Sequence, residues 1–326
     1  MEIALNSLAF IGAALCAGIM GFAIQRGGTC TVAAVDEVID MRKADRLIAL
    51  AEASLWVAGG LALASAMHWP LKMPAGYSVT LWTVLGGALL GFGAFINQAC
   101  VFGAIARFGS GEWAYLATPA GFYAGCASVE STFMPAPAQL LAEVSPVLRG
   151  SGWIGWLFLV FVGWRVLKPA LGVRTPARAR QLAAKVWTPH AATTVIGIAF
   201  FFMLLLVGSW AYTETLADLA RMHMSAGLAA KLVLLLALLG GAWWGGKTAG
   251  RFRSLRVGSA QLARCFTGGL LMGWGSLLIP GSNDGLILIG MPLLWPYAWL
   301  AFGTMCSTVA AALLVRKAMA PRLAAP

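Results

Sequence analysis

Two of the six cysteines lie in short polar segments whose residue types suit a small anion. Cys30 follows Gln25–Gly28, and Cys100 follows Asn97 and Gln98. A thiol is a weak hydrogen-bond donor and a soft, polarizable contact. Glycine and amide side chains interrupt a helix at these points, and the exposed N–H groups of a new helix start attract anions. Both segments therefore predict an anion site with a thiol contact.

A third segment, Pro280–Gly285 ("PGSNDG"), has the same character and also follows an apolar run. Irregular backbone at membrane depth is found where it is buried in protein or lines a cavity. We therefore expect re-entrant half-helices that meet near the membrane midplane. The alternative is that all three segments are ordinary loops at the membrane surface. Asp284 is the one acid of this segment, and either gates a substrate or caps nearby amides.

The other patterns of catalysis and metal binding are missing from the sequence. There is no CxxC pair and no H-E-x-x-H, P-loop or G-x-S-x-G motif. We therefore expect neither catalytic residues nor a metal or cofactor, and the protein is not expected to be an enzyme. Cys265, beside Arg264, could be structural or could contribute another thiol.

The composition is that of a membrane protein. The chain is 60% hydrophobic and 11% charged, with a mean hydropathy of +0.81, whereas soluble domains carry about 25% charged residues. Runs of helical length predict an all-α, polytopic fold with about nine transmembrane helices. These spans are expected near residues 7–24, 47–67, 79–96, 112–129, 151–167, 190–210, 226–245, 265–279 and 293–315.

Charge predicts the orientation. With the N-terminus outside, 19 of the 23 Lys and Arg residues fall in cytoplasmic segments and 3 in outer ones, which follows the positive-inside rule. The C-terminus is then cytoplasmic, and the net charge of +11 requires no nucleic-acid partner. A basic cytoplasmic linker, residues 168–188, is expected to separate a first membrane half of five spans (1–167) from a second half of four (189–326).

A repeat relates the two halves. "GGALLGFG" (Gly86–Gly93) returns as "GGLLMGWG" (Gly268–Gly275), with five of eight positions identical at an offset of 182 (268 − 86). The two copies fall on the third and eighth spans, which would run in opposite directions, so the repeat is expected to be inverted. The same register places Cys100 opposite Ser282.

These elements carry a family resemblance. "GFAIQRGGTCT" (Gly21–Thr31), the paired glycine elements and "ACVFG" (Ala99–Gly103) resemble the YeeE/YedE family of bacterial inner-membrane sulfur-compound transporters. The resemblance implies an inverted repeat and uptake of thiosulfate or a related sulfur anion, passed along by cysteine contacts to its sulfur. Cys30 and Cys100 match the family's first-half cysteines. Ser282 stands where a typical member has a cysteine, so Cys265 would have to replace that thiol.

The sequence hypothesis is thus an inner-membrane permease for a small sulfur anion, with lipid as its surroundings and a cytoplasmic sulfur-carrier protein as a further candidate partner. Cys30 and Cys100 would contact the sulfur, and Arg26 and Arg107 would attract the anion. The remaining substrate contacts are expected from Gln25, Asn97, Gln98, Ser282, Asn283, Asp284 and Cys265. Three alternatives stay open: a passive channel for another small metabolite, a membrane thiol–disulfide protein, and a subunit of a larger complex.

Overall fold

The structure, a computed structural model, describes residues 7–69, 73–135, 138–170, 185–221 and 227–323. Within these ranges the regular structure is helical, and the β-type contact is an isolated bridge between Tyr77 and Leu140. The expected all-α class is therefore confirmed. Most of the predicted linker, residues 171–184, lies outside the described residues.

The helices alternate between long and short. The first half contains α1 (Leu8–Gly27), α2 (Thr31–Met41), α3 (Asp45–Ala66), α4 (Leu81–Asn97), α5 (Val101–Gly109), α6 (Ala117–Phe133), the short α7 (Pro146–Arg149) and α8 (Ser151–Ala170). The second half contains α9 (Pro189–Val207), α10 (Tyr212–Ala220), α11 (Leu228–Thr248), α12 (Ser259–Leu278), α13 (Asn283–Gly290) and α14 (Pro296–Leu323). The last five residues of α13, Leu286–Gly290, form a π-helical turn.

The protein is a multi-pass membrane protein. Six helical stretches of the described residues are long and apolar enough to cross a bilayer, and a seventh is obtained if α12 and α13, bent by 52° at their junction, form one broken span. Large apolar side chains on the outer faces of these helices are exposed, as at Leu15, Leu236 and Leu314, which suits contact with lipid. The other two predicted spans coincide with α6, of 17 residues, and the Trp-rich α8, which fall outside that set.

The long helices pack in two rows, and the short helices lie between them. In one row α11, α1, α9 and α3 are neighbours in that order, and α8 packs on α3. In the other row the order is α6, α12, α4 and α14. Each of the short helices α2, α5, α10 and α13 contacts a long helix of the first row, and α2 and α10 also contact α14 and α6 of the second. The fold therefore brings the interrupted segments together between two helix layers.

Small residues allow the long helices to approach closely. A Cβ on Gly241 of α11 would lie 1.9 Å from the carbonyl oxygen of Gly18 in α1. In the other row, a Cβ on Gly121 of α6 would lie 2.0 Å from the carbonyl oxygen of Phe266 in α12. In lipid, where helix association depends on such close packing, these backbone contacts fix the two rows.

We expect Gly241→Ala to destabilise the protein, because the new methyl group would overlap backbone that cannot move aside. An overpacked core position costs about 1–3 kcal/mol. Thermal unfolding of the purified protein in detergent measures the loss. The adjacent Gly240→Ala is the matched control, since a Cβ there meets nothing within 4 Å. Alanine at that position also has a higher helix propensity than glycine. Equal melting temperatures for the two variants would contradict the close approach of α1 and α11.

Candidate functional site

The helix breaks predicted from the sequence lie at one junction in the interior. α1 ends at Gly28 and α4 at Gln98, both in the left-handed backbone region with a φ of 58°. α2 and α5 then start with Cys30 and Cys100 as their N-caps, and neither side chain bonds to its own helix. In the second half, Ala211 caps α10 and Ser282 caps α13. Four half-helices thus begin close to one another and leave their first N–H groups for other partners.

The two predicted thiols are in contact. The side chains of Cys30 and Cys100 interact directly with each other, and the backbone N–H of Thr31 donates to Cys100 Sγ at 3.1 Å. Gly103 provides the space, because a Cβ there would lie 2.6 Å from Cys30 Sγ. Cys100 is fully buried, whereas Cys30 is half-buried. One thiol is therefore reachable by a solute, and the other lies directly behind it.

The second half contributes buried polar groups to the same junction. Asn283 Nδ2 donates to Thr31 Oγ1 at 3.3 Å, and the hydroxyl of Tyr212 donates to the carbonyl of Val101 at 3.2 Å. Ser282 is 2% exposed, and its hydroxyl has no hydrogen-bond partner among the residues that the structure describes. A buried hydroxyl without a partner is unfavourable, so it is a free donor for a bound solute.

Asp284 is also buried at the junction and is held by the start of α10. Its Oδ1 accepts from Thr213 Oγ1 at 2.6 Å and from the backbone N–H of Gly285 at 3.0 Å. Its Oδ2 accepts from the backbone N–H of Thr213 at 3.4 Å. Of the two roles expected for Asp284, capping is therefore present in this structure, and gating stays a prediction.

A cavity of about 390 Å³ leads to the thiol pair. Its wall includes Cys30 together with the amide side chains of Gln25 and Gln98. Its charged lining is mainly cationic and consists of Arg46, Arg107, Arg251 and Arg316, with Asp36 as the acid. Part of this charge is compensated, since Arg107 pairs with Glu112 at 3.3 Å and Arg46 pairs with Glu37 at 3.7 Å. The cavity is thus lined mainly by cationic side chains and ends at the Cys30 thiol.

Eight of the residues predicted to contact the substrate lie at the cavity or at the junction behind it. Cys30, Gln25, Gln98 and Arg107 line the cavity, and Cys100, Ser282, Asn283 and Asp284 form the junction behind it. Cys265 is buried close by, in a small cluster of Ala99, Ala104, Ala114, Tyr115 and Ala117 against which Cys30 packs. A third thiol therefore lies near the pair, although it does not line the cavity.

Two of the residues predicted to contact the substrate do not line the cavity. Arg26 donates to Thr248 Oγ1 at 2.9 Å and lies over the Phe22 ring at 4.8 Å, away from the cavity wall. Asn97 is fully buried, donates to the carbonyl of Ala99 at 2.8 Å and accepts from the hydroxyl of Thr118 at 3.0 Å. Its amide fastens the end of α4 to α6. The side chains of both residues are engaged within the protein in this structure.

Sequence reasoning missed Thr31 and Thr213, whose amides hold Cys100 and Asp284. The repeat contained a signal for them, because 31 + 182 = 213 and both positions are Thr. It also missed the arginines Arg46, Arg251 and Arg316, which come from separate elements and share no local motif. In the described part of the chain, no group of three or more His, Cys, Asp or Glu residues could hold a metal ion.

We expect a small charged thiosulfonate reagent to modify Cys30 well before Cys100, since only Cys30 lines the cavity. The experiment uses protein in which Cys16 and Cys306 are replaced by Ser, because both are half-buried. Peptide mass spectrometry over time identifies the labelled residue, and the buried Cys126 is the internal control. Faster labelling of Cys100 or Cys126 than of Cys30 would contradict the geometry of the cavity.

Comparison with known proteins identifies the family of the chain. The sulphur transport family matches residues 26–311 of the chain. The thiosulfate transporter TsuA of Escherichia coli (strain K12) is 26% identical, with an alignment that covers 85% of this chain and 86% of that protein. Membership in a transporter family favours transport over catalysis as the role of the protein. The chain belongs to the sulphur transport family and is a membrane transporter for sulfur compounds.

Proposed function

We propose that this protein takes up thiosulfate or a closely related small sulfur anion across the bacterial inner membrane. The observation that supports this most is the Cys30–Cys100 thiol pair at the junction of the half-helices, reached through an arginine-lined cavity. Thiosulfate carries one polarizable terminal sulfur and three oxygens. A soft thiol suits the sulfur, and backbone N–H and hydroxyl donors suit the oxygens.

In this mechanism the anion moves past the junction without a covalent step. The terminal sulfur exchanges hydrogen bonds with Cys30 and Cys100, one after the other, since the two thiols are neighbours. The oxygens are held by Ser282, by the amides at the half-helix starts and by Gln25 and Gln98. Because each contact is individually weak, the anion can both bind and leave. Arg107 and the other cavity arginines raise the local concentration of anions at one end of the route.

We also propose that the two halves form an inverted repeat with nine spans. In support, adding 182 to the residue numbers of α1 gives 190–209, which nearly coincides with α9 at Pro189–Val207. The same shift applied to α4 gives 263–279, which nearly coincides with α12 at Ser259–Leu278. A Cβ on Gly86 would touch the Gly275 carbonyl, and one on Gly268 would touch the Gly93 carbonyl. Adding 182 to Gly86 gives Gly268, and adding 182 to Gly93 gives Gly275, so the repeat converts one of these contacts into the other. An antiparallel two-fold arrangement requires this. Nine spans follow if α6 and α8 also cross.

Experiments can distinguish the proposed function from two alternative functions. A passive channel would use the same cavity but would show neither saturation nor competition between sulfur anions in liposomes. The contact of Cys30 and Cys100 is the one observation that favours a thiol–disulfide protein. A trapped mixed disulfide with a partner would support that alternative. A cytoplasmic sulfur-carrier protein stays a predicted partner, which would dock at the cytoplasmic end of the transport route.

We expect Cys30→Ala and Cys100→Ala each to lower thiosulfate uptake at least about tenfold, because each removes a thiol contact of the order of 1.4 kcal/mol. Uptake of labelled thiosulfate into proteoliposomes measures the effect. Cys306→Ala is the matched control, since that thiol lies on α14 and lines no part of the cavity. Normal uptake by both site variants, with intact folding, would remove the thiol role.

The topology can be tested independently of the substrate. With an odd number of spans and an outside N-terminus, a C-terminal fluorescent-protein fusion is expected to be fluorescent, whereas a C-terminal alkaline phosphatase fusion is expected to be inactive. Both results place the C-terminus in the cytoplasm, on the side with most of the Lys and Arg residues. An active phosphatase fusion would refute the proposed orientation.

A further inference from the structure

Asp284 is a buried carboxylate without a cationic partner. It is 2% exposed, and its acceptors are occupied by Thr213 and Gly285 at the distances given above. None of the ion pairs between described residues includes it. Hydrogen bonds reduce the cost of such a buried charge but do not cancel it, so a proton is the most accessible neutralising ligand.

The carboxylate accepts a hydrogen bond in the second half that resembles the one Cys100 accepts in the first, although the register pairs Cys100 with Ser282. Thr31 and Thr213 are equivalent at the offset of 182, and each opens or nearly opens a half-helix. The N–H of Thr31 donates to Cys100 Sγ, and the N–H of Thr213 donates to Asp284 Oδ2. Asn283, directly before Asp284, contacts Thr31 Oγ1. The acid therefore lies next to the position where the proposed function places the substrate.

We propose that Asp284 is a proton-binding site, and that the protein binds one proton at this residue together with each dianionic sulfur substrate. The inference rests on the proposed function and adds a coupling ion to it. A dianion near an ionised Asp284 would be repelled strongly in a medium of low dielectric constant. Protonation of the carboxyl removes the negative charge of Asp284, so that residue no longer repels the dianion. Substrate binding therefore draws a proton from solvent onto Asp284, and release of the substrate returns it.

Other titratable groups near Asp284 are less suited to this role. Tyr212 and Glu214, both on α10, interact electrostatically with Asp284, and Cys100 and Cys30 lie on the first-half side of the junction. Tyrosine is ordinarily already protonated near pH 7 and has no proton to take up there. Glu214 has Lys231 as a cationic neighbour, which stabilises its ionised form. Asp284 is the buried acid of this group.

Calorimetric titration of the purified full-length protein with thiosulfate tests the proposal. The titration is run near neutral pH in two buffers that differ in ionisation enthalpy, which gives the number of protons taken up per bound anion. We expect about one proton for the unchanged protein and about none for Asp284→Asn, by linkage. Glu143→Gln, at an exposed position on the surface, is expected to retain the value of the unchanged protein.

Thr213→Val gives a second test that retains the acid. This change removes a hydroxyl that donates to the ionised carboxylate, so the carboxyl holds its proton more tightly. The pH at which proton uptake is half-maximal is expected to rise by up to about one unit. The unfolding temperature of each variant is measured alongside, and the Thr213→Val profile decides the question if Asp284→Asn does not fold.

The outcomes separate the two proposals. Thiosulfate binding by the unchanged protein without proton uptake would overturn the role of Asp284 and leave the proposed function standing. Proton uptake that is lost in Glu214→Gln but retained in Asp284→Asn, or an unchanged profile in Thr213→Val, would also overturn it. No binding of thiosulfate to the unchanged protein would overturn the proposed function itself.

Discussion

An interrupted helix in a membrane interior leaves N–H groups that lipid cannot satisfy. This constraint governs the junction at which α2, α5, α10 and α13 begin. Two of the amides are satisfied across the junction, that of Thr31 by Cys100 Sγ and that of Thr213 by Asp284. Each of these bonds joins two half-helices of one half, while the Asn283–Thr31 contact joins the halves. The proposed anion site lies among these same half-helix starts.

The close packing of the long helices determines where this junction can lie. Within each row the backbones touch at glycines such as Gly121 and Gly241, which leaves no room for a solute between those helices. The looser space lies between the rows, where the short helices meet the cavity. Destabilising either row would therefore affect the site indirectly, through the positions of the half-helix ends.

Sequence patterns predicted the helical class, the three breaks and the thiol pair, because glycine, amides and apolar runs act locally. They did not predict that Asn97 would fasten α4 to α6, or that Arg26 would turn to Thr248. A side chain at a helix end can point in several directions, and only the packed neighbours select one. The cavity arginines come from three helices and from the segment after α11, so no local pattern could group them. The exact number of spans stays a prediction for the same reason, since α6 and α8 are marginal in length or composition.

The replacement of a thiol by Ser282 is consistent with a site whose two sides differ. The first-half side presents sulfur, at Cys30 and Cys100, and the second-half side presents a hydroxyl, an amide and a carboxyl. A site with thiols on both sides would suit an anion with sulfur at both ends. A soft side opposite a hard one suits an anion with a single terminal sulfur and an oxygen end. Under the proposed function, this difference between the two sides would orient an asymmetric anion, with its sulfur toward Cys30 and Cys100 and its oxygens toward Ser282.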